Sequence, residues 1–94
     1  MAKILISGKI EEPLVHKFIK DYNDSGNQFK DIYINSEGDY HSLGLVIIDI
    51  INSAPSKCCI IAAGEVHSTA FEIFFLTTCR KKSQRLLNVP LLLQ

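Results

Sequence analysis

The stretch KCCIIAA, residues 57–63, decides the fold of this chain. After Lys57 its side chains are apolar on both faces of a predicted strand, which is typical of a central strand in a parallel sheet. Gly64 follows and ends the predicted strand. A buried parallel strand needs neighbouring strands and covering helices, and the sequence on either side has patterns that supply them.

The spacing of apolar residues changes repeatedly between the strand period and the helix period along the chain. The predicted elements, in chain order, are a strand at Lys3–Ser7, a helix beginning near Glu12-Pro13, a strand at Asp31–Asn35, a helix over Leu43–Ile51, the strand at Lys57–Ala63, a helix over Ser68–Arg80 and an extended stretch at Arg85–Leu93. This order predicts an α/β fold with a mostly parallel sheet, formed as a single small domain over residues 1–94.

The composition predicts self-association. Hydrophobic residues make up 47% of the chain and charged residues 21%, whereas a domain of this size buries only about 60–65% of its unfolded surface. The third predicted helix has almost no polar face and includes Phe71, Ile73, Phe74 and Phe75. A neighbouring subunit is the simplest cover for it, so we expect a homo-oligomer.

Charge and cysteine content exclude several classes of protein. Ten basic and ten acidic residues cancel, which argues against nucleic acid or a membrane surface as a partner. The basic cluster Arg80, Lys81, Lys82 and Arg85 is interpreted as a solvated helix end. Three cysteines without metal-ligand spacing, in a chain without a secretory leader or a long apolar run, predict a cytoplasmic, soluble protein.

Three short motifs carry a family resemblance. Ile34-Asn35-Ser36-Glu37-Gly38-Asp39 is similar to an Ile-Asn-Ser-Pro-Gly-Gly loop, and Gly64-Glu65-Val66-His67-Ser68-Thr69-Ala70 is similar to Gly-Gln-Ala-Ala-Ser-Met-Gly. Ile4–Ile10 is similar to a first strand that ends Leu-x-Gly-x-Ile. Both loops and the strand belong to the proteolytic subunit of the ATP-dependent Clp protease, which this chain resembles. The resemblance implies a Clp/crotonase-like fold and places Ser68 at the position of the nucleophile.

The departures from the family pattern predict a degenerate enzyme. Asp39 replaces the second glycine of the oxyanion loop, where a carboxylate opposes the developing negative charge. Ala70 replaces the glycine after the serine. The family's histidine falls at Leu93 or Gln94, and its aspartate and C-terminal handle region have no counterpart in residues 1–94. We therefore expect a pseudoenzyme without appreciable peptidase activity.

The residues that remain at the expected site allow more than one interpretation. Ser68 is a relic nucleophile, a helix N-cap or a hydroxyl that contacts a ligand. His67 adjoins it and His41 lies on the other loop, so each is considered as a replacement base. Glu37 and Asp39 are interpreted as turn residues, and neither a metal nor a cofactor is predicted.

Two helix N-termini, near Ser42 and near Ser68, are expected to open onto one cleft at the carboxyl ends of the strands. Such ends suit a phosphate or a carboxylate. The residues predicted to bind a ligand there are Asn35, Ser36, Gly38, His41, His67, Ser68 and Thr69.

Three hypotheses of different class follow. The leading one is a non-proteolytic, oligomeric protein that binds a small anionic or nucleotide-like ligand in the relic cleft or between subunits, which would suit a sequestering protein from a phage. The second is a serine hydrolase or peptidase in which Ser68 uses a histidine base. The third is a partner or inhibitor of a full-length Clp peptidase ring.

Overall fold

Strands and helices alternate along the chain in the computed structural model, which describes residues 1–79 and 81–84. The elements are β1 Ala2–Ile10, α1 Glu12–Asp24, β2 Lys30–Asp39, α2 His41–Asn52, a 3-10 turn at Pro55–Lys57, β3 Cys58–Val66, α3 Thr69–Leu76 and β4 Lys81–Gln84.

The four strands form one sheet in the order β1-β2-β3-β4, and every neighbouring pair is parallel. Tyr33 of β2 lies between Leu5 and Ile61, and the register shifts after Ile34, where the strands approach their carboxyl ends. The predicted α/β fold with a parallel sheet is therefore confirmed, and β3 is an internal strand as its apolar sequence indicated.

One face of the sheet and the three helices enclose the hydrophobic core. The sheet contributes alternate residues, such as Ile4, Ile32 and Ile60, and the helices contribute Phe18 and Ile51, among others. Because strand side chains alternate between faces, Leu5, Tyr33 and Ile61 belong to the opposite face. None of the helices among the described residues is long and apolar enough to cross a membrane.

The third helix is shorter than predicted. It ends at Leu76, not at Arg80, and Thr77 has extended backbone angles. The side-chain amide of Asn52 explains this end: it donates to the carbonyl oxygen of Leu76 at 3.4 Å and accepts from the backbone N–H of Thr78 at 2.7 Å. A residue distant in sequence therefore terminates the helix, which the local pattern could not reveal.

The interpretation of the basic cluster as a helix end is wrong for the same reason. Lys81 and Lys82 lie in β4, beside Cys59 and Ile60 of β3. The predicted final extended stretch, Arg85–Leu93, lies outside the described residues.

Gly44 of α2 lies directly against Thr69, the first residue of α3. A Cβ atom at this position would lie 2.0 Å from Cγ2 of Thr69. We predict that Gly44→Ala lowers the free energy of unfolding by about 1–3 kcal/mol through this overlap, although alanine is the better helix former. Urea denaturation measures the change.

Thr69→Ser provides the matched background, because it removes Cγ2 but keeps the hydroxyl that donates to the carbonyl oxygen of Asp39 at 3.3 Å. In that background Gly44→Ala should cost much less or be neutral. An equal loss in both backgrounds would show that the methyl contact is not the cause.

Candidate functional site

Ser68 lies on a sharp turn between β3 and α3. Its backbone angles are φ 54° and ψ −124°, and its side chain makes no capping hydrogen bond to the helix. Ser68 therefore occupies the N-cap position of α3, but the expectation that its hydroxyl caps the helix is wrong. A non-glycine residue at positive φ costs about 1–3 kcal/mol, and such strain is frequent at functional sites. A strand-turn-helix that holds a serine in this way is the geometry of a nucleophile elbow. We call residues 66–69 the Ser68 elbow.

Gly38 packs directly against this elbow. A Cβ atom at Gly38 would lie 2.8 Å from the carbonyl oxygen of His67, 2.9 Å from Cβ of Ser68 and 2.9 Å from the backbone nitrogen of Thr69. Its φ is +90°, so both space and conformation require glycine. The backbone N–H of His67 also donates to the carbonyl oxygen of Ser36 at 3.0 Å. The end of β2 and the Ser68 elbow therefore form one unit.

Two of the predicted ligand-binding residues hold this unit together. Ser36 is 2% exposed, and its hydroxyl donates to the carbonyl oxygen of Gly8 and accepts from the backbone N–H of Gly38 at 3.0 Å. The side-chain oxygen of Asn35 accepts from the backbone N–H of Glu65 at 2.9 Å. Both side chains thus link strand ends within the protein.

Asp39 is the second non-glycine residue at positive φ, with a value of 148°. This conformation favours glycine, and the resemblance described above has a glycine at this position. The Asp39 carbonyl oxygen accepts from the hydroxyl of Thr69, another predicted ligand-binding residue. The carboxylate of Asp39 is consequently placed at the elbow by a strained backbone.

A shallow cleft of about 260 Å³ opens at the elbow, lined by Lys9, Glu37, Gly38, Asp39 and Ser68. Sequence reasoning missed Lys9. The sequence signal for Lys9 was its position after Gly8, at the carboxyl end of β1. In the sheet, Lys9 pairs directly with Gly38. The cleft therefore combines a hydroxyl, an ammonium group and two carboxylates.

The two candidate histidine bases each have a carboxylate partner. Nδ1 of His41 lies 2.7 Å from Oε1 of Glu72, and Nε2 of His67 lies 3.4 Å from Oε2 of Glu65. Neither histidine lines the Ser68 cleft. Glu72 is on the first turn of α3, so the His41 contact connects the start of α2 to that of α3.

The N-terminus of α2 faces a different depression from that of α3. Tyr40, Ser42 and Leu43 line a larger cleft of about 510 Å³ together with Glu11, Glu12 and Pro13. No residue lines both depressions, so the two helix N-termini do not meet in one lined cleft. At α3, moreover, the N–H groups of Ala70 and Glu72 already donate to the carbonyl oxygens of His67 and Ser68.

Metal ligands are not grouped in the part of the chain that the structure describes. No set of three or more histidine, cysteine, aspartate or glutamate side chains there is arranged to hold an ion.

Comparison with known protein families identifies the family of this chain. The family model for Clp protease matches residues 2–89, which include the Gly38 loop and the Ser68 elbow. The chain belongs to the Clp protease family. No protein with a curated description and no solved structure gives a significant match. The Ser68 elbow, with its strained serine, lies within the residues that the family model matches.

The strain at the elbow predicts a stability effect. Ser68→Gly and Asp39→Gly should each raise the free energy of unfolding by roughly 1 kcal/mol, because relief of about 1–3 kcal/mol of strain exceeds the 0.4–1 kcal/mol entropic cost of glycine. Ser68→Ala keeps the Cβ atom and serves as the control, with little change expected. Denaturant midpoints compare the three variants, and destabilisation by both glycine variants would contradict the strain.

Proposed function

We propose that this member of the Clp protease family is a non-proteolytic binding protein that holds a small anionic, nucleotide-like ligand at the Ser68 elbow. The observation that carries the proposal is the lining of the cleft, which places Lys9 beside Gly38 and Ser68 and includes no histidine. Such a site has groups that bind, but its lining has no histidine to activate the serine.

The mixed charge of the cleft supports a nucleotide-like ligand over a simple anion. Glu37 and Asp39 oppose an anion, whereas the ammonium group of Lys9 attracts a phosphate or carboxylate. Carboxylates commonly accept hydrogen bonds from ribose hydroxyls. A ligand with both an anionic group and sugar hydroxyls therefore satisfies all three charged side chains.

The volume of the cleft limits how much of the ligand one subunit can hold, unless a neighbouring copy supplies a second side of the pocket. Pockets for small molecules are typically about 300–1,000 Å³, and the Ser68 cleft is about 260 Å³. We infer that only the phosphate and sugar portion sits in the cleft of one subunit, with the remainder reaching solvent or a neighbouring copy.

A screen of nucleotides, cyclic nucleotides and ADP-ribose by thermal shift, followed by calorimetry, tests this proposal. Lys9→Ala should weaken the binding of any hit roughly tenfold or more, since a charge-assisted hydrogen bond is worth about 1.5–3 kcal/mol. Lys3→Ala is the matched control, because Lys3 is an exposed lysine of the same strand. No hit with folded protein, or an equal effect of both variants, would reject the cleft as the binding site.

A serine hydrolase is the second candidate, and the contact between His41 and Glu72 favours it. With Nδ1 held by the carboxylate at 2.7 Å, the imidazole would keep Nε2 as its basic nitrogen. This arrangement of carboxylate and imidazole is the one that supports the base of a catalytic triad. Ser68, at its strained turn, would be the nucleophile.

Labelling with a fluorophosphonate separates the two candidates. We expect no labelling of the wild-type protein above that of Ser68→Ala. Labelling at Ser68 that weakens in both His41→Asn and Glu72→Gln, but not in the control Glu65→Gln, would replace the binding proposal with the hydrolase.

We also propose a homo-oligomer, in agreement with the ring assemblies of the family. At the end of α3, Phe75 is 63% exposed and Leu76 is 49% exposed, and the rings of Phe71 and Phe75 stack with centroids 5.5 Å apart. Phe74, by contrast, is buried in the core. The same exposed end of α3 would form the contact if the partner were a full-length Clp peptidase.

Sedimentation equilibrium tests the assembly. Phe75→Glu should reduce the oligomer to a monomer without loss of folding, because a charge replaces an exposed apolar contact. Phe29→Glu is the control, since Phe29 is a partly exposed residue just before β2. A wild-type monomer at micromolar concentration would refute the oligomer.

The proposed setting is the cytoplasm. Cys58, Cys59 and Cys79 are not joined by disulfides in the described part of the chain, as is typical of a reducing compartment. A sequestering role of this kind would suit a protein encoded by a phage, in which affinity alone is sufficient.

A further inference from the structure

Two cysteines meet at the amino end of the sheet, opposite the Ser68 elbow. Cys58 is the first residue of β3, and Cys79 lies two residues before β4. They are 1% and 7% exposed and belong to the same hydrophobic core cluster. Cys59 pairs with Lys81 across β3 and β4, so both cysteines lie beside the first pair of these two strands. The thiol of Cys58 donates to the carbonyl oxygen of Ala54 at 3.7 Å and also interacts with the side chain of Cys79. The strand pairing and the shared core thus bring the two cysteines together although 20 residues separate them in the sequence.

Polar groups surround this thiol pair. Lys30 is a buried lysine, and its ammonium group donates to the carbonyl oxygens of Gly26 and Gln28 at 3.0 and 2.8 Å. It also lies 4.8 Å from the centre of the Tyr22 ring. The positive charge of Lys30 and the side chain of Tyr22 both act on the Cys58 thiol. These groups all favour the thiolate.

The pKa of Cys58 reflects these neighbours. The hydrogen bond from Cys79, the charge of Lys30 and the hydrogen bond from Tyr22 lower the pKa to about 7, against the opposing effect of burial. The thiolate is the reactive form of cysteine. At neutral pH a substantial fraction of Cys58 is therefore in the reactive form.

A surface depression lies on one side of Tyr22. A depression of about 410 Å³ is lined by Tyr22 and Ser53, together with Ile19, Asn23, Asp49 and Ile50. The hydroxyl of Tyr22 interacts with both Ser53 and Cys58. Tyr22 thus contacts both the depression and Cys58, and the proposal below requires this side chain to move to admit a small oxidant.

We propose that Cys58 and Cys79 are a redox-responsive pair that closes an intramolecular disulfide on exposure to a peroxide. The Cys58 thiolate attacks a peroxide oxygen, the O–O bond breaks, and Cys58 becomes a sulfenic acid. Cys79 then attacks the Cys58 sulfur and displaces the hydroxyl group as water. In total, two thiols and one hydrogen peroxide yield one disulfide and two waters.

The disulfide would enclose the site-bearing segment. Residues 58–79 contain β3, the Ser68 elbow and α3. Closure would connect the start of β3 to the residues just before β4, and so hold the edge strand against the sheet. The oxidation state of this pair would then control the rigidity of the segment that carries Ser68.

Titration of the reduced full-length chain with hydrogen peroxide tests the proposal by intact mass and peptide mapping. We expect the loss of two hydrogens and a peptide that joins Cys58 to Cys79, in the wild type and in the matched control Cys59→Ser. Cys58→Ser and Cys79→Ser should not lose two hydrogens. The oxidised protein should melt at a higher temperature than the reduced one, and dithiothreitol should reverse the shift.

The pH dependence provides a readout that does not require a cysteine variant to fold. The rate of oxidation should rise with pH and reach half its maximum near the pKa of about 7, because Lys30, Tyr22 and Cys79 favour the thiolate. Tyr22→Phe keeps the ring but removes the hydroxyl, and should move this midpoint to higher pH. A disulfide that involves Cys59, a disulfide between chains, or oxidation only in denaturant would overturn the proposal.

Discussion

The contact between Gly38 and the Ser68 elbow is the constraint on which the site depends. Because Gly38 has no Cβ atom, the end of β2 can lie directly against the backbone of His67, Ser68 and Thr69, and no larger residue fits there. Ser36 and Asn35 then fasten β2 to β1 and β3 by side-chain hydrogen bonds to backbone groups. A larger residue at position 38 would separate the two loops and remove the cleft between them.

Two strained residues line the Ser68 cleft. Asp39 and Ser68 both occupy positive φ, and neither is a glycine. The surrounding contacts are strong enough to hold them there. Asp39 adds a second carboxylate to the cleft that Lys9 also lines, so the charge of the cleft and the strain of its backbone depend on the same residue.

Much of the fold was readable from the sequence, and the exceptions have physical causes. Apolar periodicity placed β1, β2, β3 and the first two helices, because each signal is local. The end of α3 depends on Asn52, a residue of the preceding helix, and so escaped local reasoning. At the site, glycine and serine motifs located the elbow, but the pairing of Lys9 with Gly38 and of His41 with Glu72 arises only from the packing of separate elements.

The order of the strands in the sheet is also their order along the chain. Parallel strands are not joined by hairpins, so each strand can pair with the previous one only after the connecting helix lies between them in the chain. Such non-local pairing slows folding. Yet no strand has to insert between two that are already paired. We therefore expect the sheet to grow from β1 outward as the chain leaves the ribosome, with each new strand added at the free edge left by the one before it.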